Sequence, residues 1–533
     1  MSAGLTSFQF IAEQAAHYAT IIATLSSVLI IYLTLRGRND TIRTIPGPPS
    51  PSWIFGHMLQ LLLSPTYGDY EFQWQKLYGP FYRVKGCFGQ QRLMISDPIA
   101  MQYILNSQDF HFGPNLENIV RMMYGTKSVM GETEENHKRL RAALNLGFTA
   151  AAVRNYQPVF AKAAQTLSEE LEASSPGPTN ICPLLSLATL STISEAVLGY
   201  STQDLGEDFM LNNYRIIALA SSRSASHVLA DAIGARLPKW VWTAAVHLPT
   251  PTFKSIRTAK FLADRVGAQV LEEKTEAARK GLDINTDLWG QLLTQGGEKT
   301  RNALTKDEII AQTAIIMISG QDTSANTMVF GLLELAKAPK LQEQLRAEIH
   351  ETLSSAGPGN VVQYDNMLLL NAFIKESLRM YPAEALSERM AIQDTVIPLS
   401  DGVTTSTGHR ITRVPVRKGQ ICSLAIGSYQ RLESRWGPDA GEFNPSRWLD
   451  GKTYKGEAVG PYANLLSFLG GPRVCLGWRF AILEMQVFLC ELVGKFSFAL
   501  SENDPVQTSF ASTLLPTTVD GEKGAPMFIT RIV

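Results

Sequence analysis

The sequence predicts a mostly α-helical protein with a minor β part, built as one large domain behind an N-terminal transmembrane helix. Three observations predict this class. Apolar residues recur with a mainly helical period over residues 98–381, and residues 479–492 are predicted to form a long amphipathic helix. Residues 81–84 and 92–96 are predicted to form a short hairpin around Gly86 and Gly89, and residues 395–416 are β-like and rich in turn formers. The sequence shows no sign of a second domain, since it contains no internal repeat and no glycine-rich nucleotide-binding motif at a strand-to-helix step. The apolar content of 45% is sufficient for a large core.

The N-terminus has the composition of a membrane anchor. Residues 17–35 contain no Asp, Glu, Lys or Arg, and this segment is long enough to cross a bilayer as a helix. Arg36, Arg38 and Arg43 follow it, and basic residues on this flank place it in the cytosol. A cleaved signal peptide is the weaker interpretation, because no basic region precedes the apolar run. The predicted boundaries are a short lumenal segment at 1–16, the anchor at 17–35, a basic and proline-rich hinge at 36–49, and the main domain at 50–533.

Charge and cysteine usage exclude several function classes. The net charge of −1 gives no electrostatic basis for binding nucleic acid. The five cysteines are scattered and odd in number, with no CxxC pair, which argues against a disulfide framework or a zinc site. Because free cysteines are ordinarily buried and inert, a functional cysteine must be identified by its neighbours.

One loop carries such neighbours, and it reads FLGGPRVCLG from Phe468 to Gly477. A thiolate that binds a metal must be deprotonated and shielded from oxidation. Glycines let a loop bend sharply and approach a flat macrocycle, and a helix that begins near Gly477 directs its positive dipole end at the sulfur of Cys475. Phe468 can cover that sulfur, and Arg473 can pair with an anionic carboxylate.

This loop resembles the haem-binding signature of the cytochrome P-450 family, FxxGxRxCxG. All five defined positions match, at Phe468, Gly471, Arg473, Cys475 and Gly477. The resemblance implies the cytochrome P-450 fold, a single large haem-binding catalytic domain. It also implies haem b as the cofactor, with the thiolate of Cys475 as the axial ligand of the iron. Further segments resemble the family in the expected order from Pro46 to the C-terminus.

Glu376 and Arg379 lie three residues apart on a predicted helix. Alone they would be an ordinary surface ion pair, which contributes little to stability. Together with Arg447 they resemble the buried Glu-Arg-Arg cluster of the family. The implied role is structural, because that cluster holds the loop that presents the cysteine.

A polar run interrupts a long helical pattern predicted over residues 307–336. The ordinary interpretation is a buried helix with one polar turn. The run Ser319 to Ser324 resembles the family's oxygen-activation motif AGxDTT, with serines at its first and last positions. The resemblance implies that Thr323 hydrogen-bonds the iron-bound dioxygen and a water, that Asp322 supplies protons through that water, and that Gly320 lets the helix open locally.

His137 and Arg141 lie at i and i+4 and share one helix face. Such a basic face is usually just solvated. Here it resembles the family's WxxxR step, with His137 in place of the tryptophan, and this implies contact with a haem propionate. Arg389, which follows the turn at Pro382, is a further candidate propionate partner.

The resemblance implies a monooxygenase that inserts one oxygen atom from O2 into an apolar small molecule. Because no flavin or iron–sulfur motif is present, the electrons of NADPH would arrive through a reductase of the endoplasmic reticulum, in whose membrane the protein would be anchored. Lys138 and Arg139 are candidate docking residues, although a solvated face explains them equally well. The amino-acid sequences of several segments resemble those of microsomal fungal members, and this resemblance favours a terpenoid or other secondary metabolite as the substrate. Specificity is predicted to lie in residues 110–130, 205–249, 383–386 and 512–518.

Two other function classes stay open. An oxygen-independent haem-thiolate isomerase or dehydratase, or a peroxygenase, would need no acid and alcohol pair, so Asp322 and Thr323 argue against it. Dependence on NADPH and reductase would discriminate. A non-catalytic haem-binding or lipid-binding membrane protein would leave the same two residues without a role.

Overall fold

The computed structural model describes residues 24, 41–174, 176–205, 208–209, 212, 215–216, 223–297, 303–357, 362–450 and 458–532. The predicted lumenal segment and, apart from Thr24, the predicted anchor lie outside this part. Within it, one helical stretch, Ile181–Leu198, is long and apolar enough to cross a membrane, but 72% of it is buried inside the protein. That stretch is therefore a core helix.

Helices dominate the described chain, as predicted. They are α1 (Met58–Leu62), α2 (Glu71–Tyr78), α3 (Pro98–Asn106), α4 (Pro114–Met123), α5 (Glu134–Leu144), α6 (Ala150–Asn155), α7 (Gln157–Glu172), α8 (Ile181–Ile193), α9 (Thr202–Leu205), α10 (Ala225–Gly234), α11 (Lys239–Ala245), α12 (Pro251–Arg279), α13 (Leu288–Gly297), α14 (Lys306–Ile310), α15 (Thr313–Lys337), α16 (Pro339–Ala356), α17 (Leu368–Met380), α18 (Ile426–Tyr429), α19 (Glu433–Trp436) and α20 (Trp478–Lys495).

The strands form small sheets beside the helices. They are β1 (Phe81–Lys85), β2 (Gln91–Ile95), β3 (Phe110–Phe112), β4 (Pro178–Asn180), β5 (Leu386–Ala391), β6 (Thr395–Thr404), β7 (Arg410–Val416), β8 (Ile421–Ala425), β9 (Phe496–Leu500), β10 (Gln507–Ala511), β11 (Thr513–Thr517) and β12 (Pro526–Arg531). The largest sheet has the order β1-β2-β8-β5-β3, in which only β2 and β8 run parallel. The others are β4-β12-β9, β6-β7 and β10-β11.

The predicted β segments are confirmed. β1 and β2 form an antiparallel hairpin that pairs Phe81 with Ile95. The predicted segment 395–416 is the antiparallel pair β6 and β7, with an irregularity between Pro398 and Val403. Two three-residue strands, β3 and β4, interrupt the region predicted to be mainly helical. Such short strands depend on partners distant in sequence, and β3 pairs with β5.

The helix predicted over residues 307–336 is divided in two. α14 ends at Ile310 and α15 begins at Thr313. The buried side chain of Gln312 fills the break, donating to the carbonyl of Lys127 at 2.9 Å and accepting from the backbone N–H of Val129 at 2.7 Å. The prediction of one continuous helix was therefore wrong, because this long-range contact competes with helix continuation.

The helix predicted at 479–492 is α20, but its predicted amphipathic character was wrong. Seven consecutive residues, from Glu484 to Cys490, are buried. Seven residues cover nearly two helical turns, so every face of this stretch is enclosed. The cause is that α20 packs against α7, α15, α16 and α17 together. The loop that contains Cys475 thus leads into the centre of the core.

Candidate active site

The loop before α20 bends as the sequence predicts. Leu469 and Gly471 have φ angles of 55° and 67°, in the left-handed region. A Cβ on Gly471 would lie 2.2 Å from the carbonyl oxygen of Leu105 in α3, so only glycine fits there. The N–H of Cys475 donates to the carbonyl of Phe468 at 2.8 Å and closes the loop. Gly477 then forms the N-cap of α20, which places the start of this helix beside the sulfur.

The environment of Cys475 differs from that of the other cysteines. Of the five, Cys475 alone is exposed, whereas the other four are buried. Its sulfur nevertheless lies deep among protein atoms, and this burial raises the pKa of the thiol. The N–H of Gly477 and the charge of Arg141 oppose that rise, and the charge of Glu384 adds to it. Cys475 therefore combines accessible surface with a sulfur surrounded by protein atoms, and a metal cation bound there would deprotonate the thiol.

One face of α15 also keeps accessible surface. Ser319 and Thr323, one turn apart, are exposed and partly exposed, although Gln321 and Ser324 between and beside them are buried. The hydroxyl of Thr323 donates to the carbonyl of Ser319 at 2.8 Å. A hydroxyl that bonds back to the preceding turn competes with the helix ladder and favours a local bend.

Asp322 points away from that face. Its Oδ1 accepts from Ser186 of α8 at 2.7 Å and from Lys523 at 2.8 Å. Gly320 does not interrupt α15, which is continuous from Thr313 to Lys337. A Cβ on Gly320 would lie 2.7 Å from the side chain of Ile193, so the contact that requires glycine here is the close approach of α8.

The predicted cationic residues converge on one another. The guanidinium carbons of Arg389 and Arg473 lie 4.9 and 5.2 Å from the ring centroid of Phe112. Burial, and then the charges of Arg389 and Arg141, lower the pKa of Arg473 to about 10. Burial, and then Arg473 and Arg141, lower the pKa of His137 to about 4. In the described part of the chain, none of the three arginines forms an ion pair with a carboxylate.

Most donors of this cluster contact backbone carbonyls. Arg473 donates to Val129 at 3.0 Å and to Glu132 at 2.6 Å, and Arg141 donates to Val474 at 2.5 Å. Arg141 thus braces the residue that precedes the cysteine, a contact that the sequence did not predict.

Arg389 is different, because its Nη2 is buried and has no hydrogen-bond partner. Its Nη1 donates to the hydroxyl of Ser387 at 2.7 Å. An unpartnered buried donor, inside a cationic cluster that forms no ion pair with a described carboxylate, favours a bound anion. The two carboxylates of a haem would supply that anion, and the accessible sulfur would supply a thiolate ligand for its iron. The residues present therefore fit this cofactor. No group of three metal-ligating side chains occurs in the described residues.

The predicted Glu-Arg-Arg cluster is present and buried. Arg379 donates two hydrogen bonds of 2.8 Å to Glu376, and both side chains are 0% exposed. Arg447 donates to Glu376 at 3.0 Å, and Trp448 donates to it through the indole N–H at 2.9 Å. Every carboxylate lone pair therefore has a charged or polar partner, as a buried ion network requires.

Gln430 connects this cluster to the cysteine loop. Arg379 donates to the backbone carbonyl of Gln430 at 2.8 Å. The side-chain oxygen of Gln430 accepts from the N–H of Leu466 at 2.8 Å and from the hydroxyl of Ser467 at 3.0 Å, immediately before Phe468. No sequence pattern singles out this glutamine, because its side-chain partners are distant in the chain.

A second group absent from the sequence prediction is Glu484 in α20. It is 0% exposed, its carboxylate accepts from the hydroxyl of Thr192, and burial raises its pKa to about 8. A lone acidic residue within an otherwise apolar run was the available signal.

The fold and this set of side chains define a haem-thiolate protein. The family model described as Cytochrome P450 matches residues 46–520. The chain therefore belongs to the cytochrome P450 family, whose members carry a haem with a cysteine thiolate ligand, and it is an oxidoreductase that incorporates oxygen.

Its similar relatives are fungal. Cytochrome P450 monooxygenase 219 of Postia placenta is 29% identical, with 90% of this chain and 92% of the relative covered. Cytochrome P450 monooxygenase 91 of the same fungus is 26% identical, with 92% and 94% covered. Cytochrome P450 monooxygenase claP of Ampulloclitocybe clavipes is 27% identical, with 95% and 96% covered. The similarity thus extends over nearly the whole of each protein.

Proposed function

We propose that this protein is a membrane-anchored haem-thiolate monooxygenase with Cys475 as the iron ligand, inserting one atom of O2 into an apolar small molecule. One observation carries the proposal. Cys475, the one exposed cysteine of the five, lies just before the start of α20, and beside it lies a cluster of arginines that form no ion pair with a described carboxylate. A thiolate on one side and two carboxylate partners at the edge are the protein contacts that this cofactor needs.

The chain's own residues bind and tune the cofactor, which when bound supplies the activation of dioxygen. The N–H of Gly477 moderates the charge on the sulfur. Arg389 and Arg473 would hold the propionates, and His137, whose pKa burial and then Arg473 and Arg141 lower to about 4, would contribute a neutral imidazole N–H donor at neutral pH. The ring of His137 forms no hydrogen bond with another described side chain, so this donor is available.

Proton delivery falls to α15. The hydroxyl of Thr323 lies on the accessible face of the helix and bonds to the carbonyl of Ser319 at 2.8 Å. The side chain of Asp322 is 18% exposed and therefore reaches solvent. We assign Asp322 to take protons from solvent and to pass them, through a water, to Thr323.

Electrons come from NADPH through a separate reductase, because the chain contains no flavin or iron–sulfur motif. The two predicted docking residues differ. The charge of Arg139 is compensated by an ion pair with Glu308, and Arg139 also donates to the carbonyl of Ala303 at 3.1 Å. Lys138 is 64% exposed, and among the described residues its ion pair is with Glu135 of its own helix, at 2.6 Å. A docking role is therefore kept for Lys138 and withdrawn for Arg139.

An apolar surface supports a location at the endoplasmic reticulum membrane. Trp53 and Trp240 are 63% and 70% exposed. The ring of Phe88 connects the two regions, because it contacts Trp53 at 5.9 Å while Arg236 lies 5.2 Å over it. Exposed apolar side chains of this size favour contact with lipid. Trp53 follows the predicted anchor closely in sequence, so the anchor and this surface would engage the same membrane.

The substrate class is proposed from the fungal relatives, and the specificity segments, which mix apolar and small residues, contain no cationic or anionic cluster that would point to a charged ligand. The structure joins two of these segments, since the N–H of Leu514 donates to the carbonyl of Ala383 at 2.9 Å. Most of residues 206–222, within a third predicted segment, lie outside the described residues. We propose a terpenoid or other apolar secondary metabolite as the substrate.

The test is the carbon monoxide difference spectrum of the reduced, membrane-expressed protein. We expect the red-shifted Soret band of thiolate ligation, and its loss in Cys475→His. If Cys475→His left the band unchanged in a folded sample, the proposed ligand would be wrong. Product formation that depends on both NADPH and reductase separates the monooxygenase from an isomerase, a dehydratase or a peroxygenase.

A further inference from the structure

The carboxylate of Asp322 is held by two side chains from outside its own helix. Ser186 of α8 donates to Oδ1 at 2.7 Å, and the ammonium group of Lys523 donates to the same oxygen at 2.8 Å. Lys523 also donates to the hydroxyl of Ser186 at 3.0 Å. No described residue donates a hydrogen bond to Oδ2 of Asp322. The three groups form a closed triangle around one carboxylate oxygen.

The ion pair is neither at the surface nor fully enclosed. The side chains of Lys523 and Asp322 are 12% and 18% exposed. A fully solvated pair contributes little, whereas a fully buried one is costly to break. This intermediate position gives the pair an electrostatic effect while leaving it in reach of solvent protons.

Lys523 is held in place by the turn between β11 and β12. Thr517 forms a β-bridge with Lys523, and the N–H of Gly524 donates to the carbonyl of Pro516 at 3.0 Å. The preceding strand is tied to α15, because the side chain of Asn326 donates to the carbonyl of Leu514 at 3.2 Å. Asn326 lies one turn after Asp322, so the turn between β11 and β12 fixes the ammonium group of Lys523 relative to α15.

Few other titratable groups face this pair. Cys182 of α8 is close to both charges, but burial raises the pKa of its thiol to about 12, with Lys523 lowering it and Asp322 raising it. This thiol stays protonated from about pH 6 to about pH 9. The charge around Asp322 in that range is therefore set by Lys523.

We propose that Lys523 is a positioning residue for proton delivery, which holds the carboxylate of Asp322 turned toward α8 until its hold on Oδ1 loosens. The released carboxylate takes a proton from solvent and passes it through a water toward Thr323, which leaves the carboxylate as it was before the transfer. This inference rests on the proposed monooxygenase function.

The test compares Lys523→Met and Lys523→Arg with a matched control. Lys274→Met removes an ion pair of similar burial, with Asp287, between α12 and the start of α13. Reductase-supported turnover of a ligand chosen by spectral shift is measured in H2O and D2O across pH. For Lys523→Met we expect kcat to fall about tenfold with KM unchanged, a larger solvent isotope effect, and more NADPH consumed as hydrogen peroxide. Lys523→Arg should restore wild-type behaviour, and Lys274→Met should leave these quantities unchanged.

A second measurement does not need turnover. In a double-mutant cycle on unfolding, Lys523→Met and Asp322→Asn should be non-additive, because they break the same pair. If Lys523→Met does not fold, Ser186→Ala should shift the isotope effect in the same direction by less. The inference is overturned if the double-mutant cycle shows no coupling. It is also overturned if Lys523→Met lowers the free energy of unfolding as much as Lys274→Met does, while its solvent isotope effect and pH profile equal those of the wild type. A wild type with no NADPH-dependent oxygenation would instead refute the proposed function, and the cycle would still decide on the ion pair.

Discussion

Glu376→Ala tests whether the buried cluster supports haem binding. The substitution removes the partner of two hydrogen bonds from Arg379, leaving a guanidinium that is 0% exposed without a counter-charge. Breaking a buried pair from one side costs about 3–5 kcal/mol. Because a typical domain has about 5–15 kcal/mol of stability, the loss is a large part of the total. The free energy of unfolding measured in urea and the haem content per protein should both fall. The haem content should fall because Arg379 also bonds to Gln430, which holds Leu466 and Ser467 before the cysteine loop.

Two further variants separate a local effect from a general one. Glu195→Ala breaks the surface pair with Lys162 and should cost less than about 1 kcal/mol, with normal haem content. Gln430→Leu leaves the ion pairs intact but removes the acceptor of the Leu466 N–H, so it should lower haem content at a cost of about 1–3 kcal/mol. A Glu376→Ala protein with full haem content and an unchanged carbon monoxide spectrum would refute this reasoning.

Three other predictions follow from the site. Gly471→Ala should lose haem and at least about 2 kcal/mol of stability on urea unfolding, because its Cβ would lie 2.2 Å from the carbonyl oxygen of Leu105 at a φ of 67°; retained haem would contradict it. Arg389→Met should speed haem transfer to a trapping protein about 10-fold to 100-fold while leaving the haem-free protein no less stable, since it removes an unpartnered buried donor. Glu484→Gln should abolish a pH dependence of the free energy of unfolding, because the pKa of Glu484 is about 8 in the folded protein and 4.5 in the unfolded chain. The stability that Glu484 contributes is therefore present below about pH 4.5 and is lost, by a few kcal/mol, as pH rises to about 8. An equal slope in both proteins, measured by urea unfolding at several pH values, would show that Glu484 titrates normally.

Local patterns predicted the parts of the site that depend on neighbouring residues. The glycines before Cys475 are needed because the chain bends within a few residues, and the sequence shows that requirement directly. Glu376 and Arg379 lie three apart on one helix, so their pairing also follows from local spacing. The resemblance then supplied Arg447, which is distant in the chain.

Contacts between distant segments were beyond prediction from a single sequence. Gln430 connects α17 to the cysteine loop through backbone groups that carry no residue signature. The ion pair between Arg139 and Glu308 changed the interpretation of a basic helix face, because the acid lies 169 residues away. The full enclosure of α20 similarly depends on four other helices, so an apparent periodicity in its sequence overstated its amphipathic character.

The cationic cluster and the bracing of the cysteine loop have a joint consequence for folding. Gln430, Arg141 and Arg473 tie the loop or its flanks to separate elements, so the left-handed conformation at Leu469 is imposed by contacts within the chain. Burial, and then the charges of Arg389 and Arg141, lower the pKa of Arg473 to about 10. This cost destabilises the folded state, and no described carboxylate forms an ion pair with the three arginines, although the charge of Glu384 acts on Arg389. A dianionic haem relieves it by binding only the folded chain, so its binding free energy adds to the free energy of unfolding. The loop is therefore set by the protein, whereas the electrostatic balance of the folded domain depends on the haem.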